Sequence, residues 1–66
     1  MVRLEFERRK MGLSQKDLGE RMLYTGERIG WLERPNRSPK EVNKRFKKIV
    51  EDYFGIPLEQ LLKPVE

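Results

Sequence analysis

Leu13-Ser-Gln-Lys-Asp-Leu-Gly-Glu-Arg-Met22 is followed, after only Leu23 and Tyr24, by Thr25-Gly-Glu-Arg-Ile-Gly-Trp-Leu-Glu33. The spacing predicts two short helices joined by a tight turn, over about residues 14–33. Ser14 opens the first, with Asp17 three residues on in a capping-box arrangement. Leu18 and Met22, four residues apart, give it an apolar stripe. Thr25 caps the second, whose inner side is Ile29 and Leu32. Pro35 ends it, because a proline disfavours α geometry in the residue before it.

Working outward, Val2 to Lys10 reads as an earlier helix, with Leu4, Arg8 and Met11 on one face and Gly12 as its stop. Arg34-Pro-Asn-Arg37 reads as a loop. Ser38-Pro39-Lys40-Glu41 has a serine cap, a proline in the first turn and a glutamate at the box position, so a fourth helix is predicted to start there. It carries Val42, Phe46, Ile49, Val50 and Tyr53 on one face and its basic residues on the other. Gly55 ends it. Pro57 starts a last short helix with Leu58, Leu61 and Leu62 apolar, and Pro64 stops that. No run alternates as a strand does. The expectation is one all-α domain over residues 1–66, a compact five-helix bundle with short connections.

Composition narrows the function. The 66 residues hold no cysteine and no histidine. That removes disulfides, thiolate or imidazole metal ligands and thiol nucleophiles. No carboxylate and lysine spacing suggests a catalytic site, and so short a chain builds no sizeable pocket. No enzyme, cofactor or metal is expected. No apolar run reaches the roughly 20 residues a membrane span needs. The charged N-terminus does not read as a secretory signal, so a cytoplasmic, nucleoid-associated location is expected. The net charge of +4 favours polyanions, nucleic acid above all. Arg34, Arg37, Lys40, Lys44, Arg45, Lys47 and Lys48 lie close together, diluted only by Glu41. A solvated charged face is the plainer explanation of that run.

The series Leu13-Ser-Gln, Leu18-Gly19, Met22, Thr25, Ile29, Leu32-Glu33-Arg34 and Pro39 resembles the lambda-repressor-like, Cro/CI-type (XRE) family of helix-turn-helix regulators. The resemblance runs without gaps from Met11 to about Pro39 and continues in outline through Gly55-Ile-Pro-Leu-Glu-Gln-Leu-Leu62. It implies a sequence-specific double-stranded DNA-binding protein, a repressor-like transcriptional regulator of bacterial or phage type. It also implies a homodimer whose third helices enter successive major grooves about 34 Å apart. Without a sensor domain, control is expected from concentration, a regulatory protein partner or operator competition. Leu58, Leu61, Leu62 and Phe54 are candidates for the dimer contact, or for closing the core of the monomer.

The resemblance assigns Arg8 and Glu33 to a structural ion pair, partly buried, in which a guanidinium fork holds a carboxylate. It assigns Gly19 to the close crossing of the recognition helix. Gln15 falls where the family touches DNA, able to serve a phosphate or an adenine edge, or else is an ordinary exposed residue. Two departures stand out. Leu23 occupies a position where the family often has glycine, and a leucine in left-handed geometry costs about 1 kcal/mol, so a differently shaped turn is expected. Pro35 also replaces a frequent glycine and removes an N–H that can bind phosphate, leaving Asn36, Arg37 and Lys40 at the next cap to do so.

On a helical wheel with Ile29 and Leu32 inward, Glu27, Trp31 and Arg34 point out, Gly26 and Gly30 lie on one flank and Arg28 on the other. Thr25 begins this face. Arg28 and Arg34 are candidates for guanine or phosphate. Glu27 repels phosphate yet can accept from cytosine N4. Trp31 can meet a thymine methyl group, serve as a protein hot spot, or be a core aromatic. The two glycines suggest close approach of the backbone to a DNA strand or a protein surface. The alternative function is a protein-interaction module on the same fold, using the Glu27/Trp31 face.

Overall fold

A computed structural model describes residues 1–65. Its elements are α1 (Arg3–Lys10), α2 (Gln15–Arg21), α3 (Gly26–Leu32), a 3-10 turn (Pro39–Glu41), α4 (Lys44–Phe54) and α5 (Leu58–Leu61). The described chain is all-α, with no strand. Its one extended pairing is an antiparallel bridge between Val2 and Pro64. There Arg3 N–H donates to the Lys63 carbonyl and Val65 N–H to the Met1 carbonyl, both at 2.8 Å. Two residues of pairing leave no alternation in the sequence, which is why the bridge is not legible there.

The core is built from the residues the periodicities select. Leu4, Leu18, Ile29, Leu32, Phe46, Val50, Leu58 and Leu61 are fully enclosed, with Val2, Met22, Val42 and Leu62 nearly so. Leu58, Leu61 and Leu62 therefore close the monomer and are not free for a dimer contact. Phe54, half-buried and edge-on to Tyr53 at 5.2 Å, is the member of that group still partly open. Met11 departs from its expected place. It caps α1 beyond the last full turn and is exposed.

The fourth helix begins later than the Ser38-Pro39 signal predicts. Ser38 and Glu41 do form a reciprocal capping box, but it closes a single 3-10 turn. Val42 is then extended (φ −106°, ψ 133°), and Asn43 caps α4 by accepting from Phe46 N–H at 2.8 Å. Val42, extended at this break, is buried against the core together with Phe46. Gly55, at φ +67°, ends α4 in the left-handed region that favours glycine.

α1 and α2 end in the same way. In each, two N–H groups beyond the cap return to carbonyls of the last turn: Leu13 to Arg8 and Gly12 to Arg9, Tyr24 to Gly19 and Leu23 to Glu20. This closure puts one residue in left-handed geometry. After α1 it is Gly12 (φ +71°); after α2 it is Leu23 (φ +61°), whose side chain is 92% exposed. The expected change of turn shape does not occur. The leucine takes the glycine conformation, and the α2–α3 packing beyond it holds the turn.

α3 crosses α2 at backbone contact. A Cβ on Gly19 would lie 2.4 Å from the Thr25 carbonyl carbon, closer than any side chain permits. Gly19 is thus the small residue that sets the crossing. With Ile29 and Leu32 buried on its inner side, α3 turns its other side to solvent.

Candidate nucleic-acid interface

Arg8 and Glu33 anchor the far end of α3. Arg8 Nε donates to Glu33 Oε2 at 2.6 Å and Nη2 to Oε1 at 3.0 Å, the two-pronged geometry of a guanidinium fork. The side chains are only 9% and 4% exposed. Arg8 Nη1 also donates to the Leu13 carbonyl at 2.8 Å, tying the α1–α2 loop into the same network. The hydrogen bond to Glu33 holds the Arg8 pKa above its ordinary value against the opposing effect of burial.

Gln15 joins this network. Its Nε2 donates to Glu33 Oε1 at 3.0 Å. A Cβ on Gly30 would meet Gln15 Oε1 at 3.2 Å, so the carboxamide lies in the space that Gly30 leaves open. Gly26 has a similar reason: a Cβ there would come within 2.9 Å of the Lys16 backbone. Both glycines serve contact between α3 and α2. The approach to an outside partner expected from their position is not needed to explain them.

The outward side of α3 borders an open hollow of about 740 Å³. Gln15, Thr25, Glu27, Arg28, Gly30, Trp31 and Arg34 line it from α2 and α3, and Glu41, Val42 and Phe46 line it from the opposite wall. The opposite wall was not foreseen, because its residues come together only through the break before α4. Thr25 caps α3 by accepting from Arg28 N–H at 3.3 Å.

Aromatic rings hold two of the arginines. Arg28 lies over the rings of Phe46 (5.0 Å) and Tyr24 (5.8 Å), which are themselves stacked at 4.2 Å. Arg37 lies 4.4 Å over Trp31, donates from Nε to the Trp31 carbonyl at 3.4 Å, and sits 3.8 Å from Glu41. Trp31 is half-buried against the core beneath it, between the fully outward and the core placements weighed from sequence. Fixed guanidinium groups of this kind keep their outer N–H edges available while losing less freedom on binding.

Glu27 and Arg34 are exposed and make no ion pair within 4.0 Å among the described residues. Lys40 is exposed on the 3-10 turn. Asn36, exposed at φ +66°, follows Pro35. Neither lines the hollow. No group of three or more metal-ligating side chains occurs among the described residues, and no described helix is long and apolar enough to cross a membrane.

Fold and site together define a small protein, all-helical over the described residues, whose third helix borders an open face of mixed charge, with Arg28 and Arg34 alongside Glu27 and Glu41. No protein-family model matches the chain, and no curated protein or solved structure matches it either.

Proposed function

We propose that the chain is a lambda-repressor-like helix-turn-helix protein that binds double-stranded DNA in a sequence-specific way and regulates transcription in the cytoplasm. The observation that carries the reading is the crossing of α2 and α3. Gly19 lies against the Thr25–Gly26 backbone, a left-handed residue closes the turn, and α3 leaves Thr25, Glu27 and Arg28 exposed. A helix so mounted fits the roughly 12 Å width of a major groove. The Arg8–Glu33 fork, implied by the resemblance, has the expected geometry and gives further support.

Charge agrees with this direction. Arg28, Arg34, Arg37 and Lys40 surround the outer side of α3, and Lys44, Arg45, Lys47 and Lys48 follow along α4. Such side chains contact phosphate and fix register, while residues at the centre of the helix face read base edges. Two copies of the chain would place two α3 helices one helical turn of duplex apart.

The test is selection from random duplex DNA by the purified chain. Enrichment of a two-fold symmetric motif, with half-sites about ten base pairs apart, is the expected result. Failure to retain any duplex at low salt would overturn the reading and favour a protein ligand at the Glu27/Trp31 face.

A further inference from the structure

Of the two carboxylates on the hollow, Glu41 is paired with Arg37 and Glu27 is paired with nothing among the described residues. Glu27 stands on the exposed side of α3, on the rim of the hollow, with cations near it in sequence on either side. It pairs with none of them. Its neighbour Arg28 is drawn off over Phe46 and Tyr24, and Arg37 is held over Trp31 with Glu41 as its acidic partner. The Glu27 carboxylate oxygens are left as free acceptors on the outward side of α3.

Four residues further along the same side stands Trp31, and past the Glu33 cap comes Arg34, also without an acidic partner among the described residues. All three line the hollow. The face therefore presents, in order, an acceptor, an apolar ring edge and a forked donor. Glu33 caps α3, so Arg34 stands just past the end of the helix, on the same hollow as Glu27. In the major groove the exocyclic amino group of cytosine is a donor that a carboxylate accepts from, and O6 and N7 of guanine suit a guanidinium fork.

We infer, on the DNA-binding reading, that Glu27 is a specificity-determining residue that selects a cytosine in each half-site, with Arg34, just past the helix end, selecting a guanine. Glu27 repels phosphate, so it weakens binding to DNA in general while favouring cytosine, whose N4 amino group donates without the neighbouring N7 acceptor that adenine carries. A glutamate in the first turn also suits the positive end of the helix dipole. That benefit concerns folding and carries no preference for a base.

The experiment selects duplexes with the wild-type chain, with Glu27→Ala and with Glu27→Gln, and records the melting of each protein by circular dichroism. The wild-type motif is expected to contain a cytosine column. Replacing that cytosine should weaken wild-type binding roughly 5- to 150-fold. Glu27→Ala should flatten this column alone and leave the guanine column in place. Glu27→Gln should move the column towards adenine, whose N6 and N7 a carboxamide can engage. Identical motifs from all three proteins, with the wild type still bound to DNA, would overturn the role of Glu27 and leave the DNA reading standing. No enrichment by any of the three would remove the DNA reading and this role with it.

Discussion

The carboxamide of Gln15 occupies the place that a side chain at Gly30 would take, and from there it donates to Glu33 at 3.0 Å. One missing Cβ on α3 thus lets the first residue of α2 reach the ion pair that anchors α3. The same contact gives Gln15 a structural partner on the edge of the proposed interface.

The glycines of this crossing should respond differently to alanine. At Gly30 the obstructing atom is the end of a flexible side chain, so Gln15 can move aside. Gly30→Ala should then be near neutral or stabilising by up to about 1 kcal/mol, the helix-propensity gain. At Gly19 the obstruction is the Thr25 backbone at 2.4 Å. Gly19→Ala should destabilise by about 1–3 kcal/mol or more, as overpacking does. Urea unfolding of the two variants checks the contrast.

Breaking the Arg8–Glu33 fork should be costly. With both side chains almost wholly buried, Arg8→Met or Glu33→Leu alone should lose about 3–5 kcal/mol, because each leaves the other charge without its partner. The double variant should recover much of that loss. Equilibrium denaturation of the four proteins gives the coupling directly.

Leu23 sets a prediction of the opposite sign. It adopts at φ +61° the conformation that Gly12 adopts at +71° in the matching closure after α1. The left-handed geometry costs a leucine about 1–2 kcal/mol, and glycine gives back part of this through its freer unfolded chain. Leu23→Gly should stabilise by about 0.5–1 kcal/mol, seen as a melting point a few degrees higher. A lower melting point would mean that the exposed leucine contributes packing that its 92% exposure does not suggest.

The α2 cap predicts a pH response. Asp17 accepts from Ser14 N–H at 3.2 Å, and Ser14 Oγ accepts from Asp17 N–H at 3.0 Å. Hydrogen bonding of its carboxylate to the Ser14 backbone, then to the Ser14 side chain, holds the Asp17 pKa below its ordinary value. The folded value lies below the unfolded one, so the contribution to stability is complete above the ordinary carboxylate range. It is lost as the pH falls through the lowered folded value. Carboxyl NMR titration should place Asp17 below a free aspartate, and Asp17→Asn should remove this part of the acid sensitivity.

These particulars show what could be read from the sequence. The Ser14 and Thr25 caps, the inward pair Ile29 and Leu32, and the Gly55 terminus follow from local chemistry that acts within a few residues. The Arg8–Glu33 pair followed from resemblance. The break before α4 was hidden because Val42 and Phe46 keep helical spacing across it, so the apolar pattern looks continuous. The second cap, Asn43, is the signal that marks it. The Gln15–Gly30 fit and the half-burial of Trp31 under Arg37 depend on side-chain conformations across elements, which no periodicity encodes.

The central claim is that the outer side of α3 meets DNA, and amide NMR mapping with an enriched or random duplex tests it most directly. The account predicts shifts concentrated at Gln15, Glu27, Arg28, Trp31 and Arg34, with smaller ones at Asn36, Arg37 and Lys40, weakening as salt rises. It predicts little change at Phe6 and Lys63, which line a separate surface formed by α1 and the C-terminal segment. Shifts centred on that surface, or none at any salt, would contradict it.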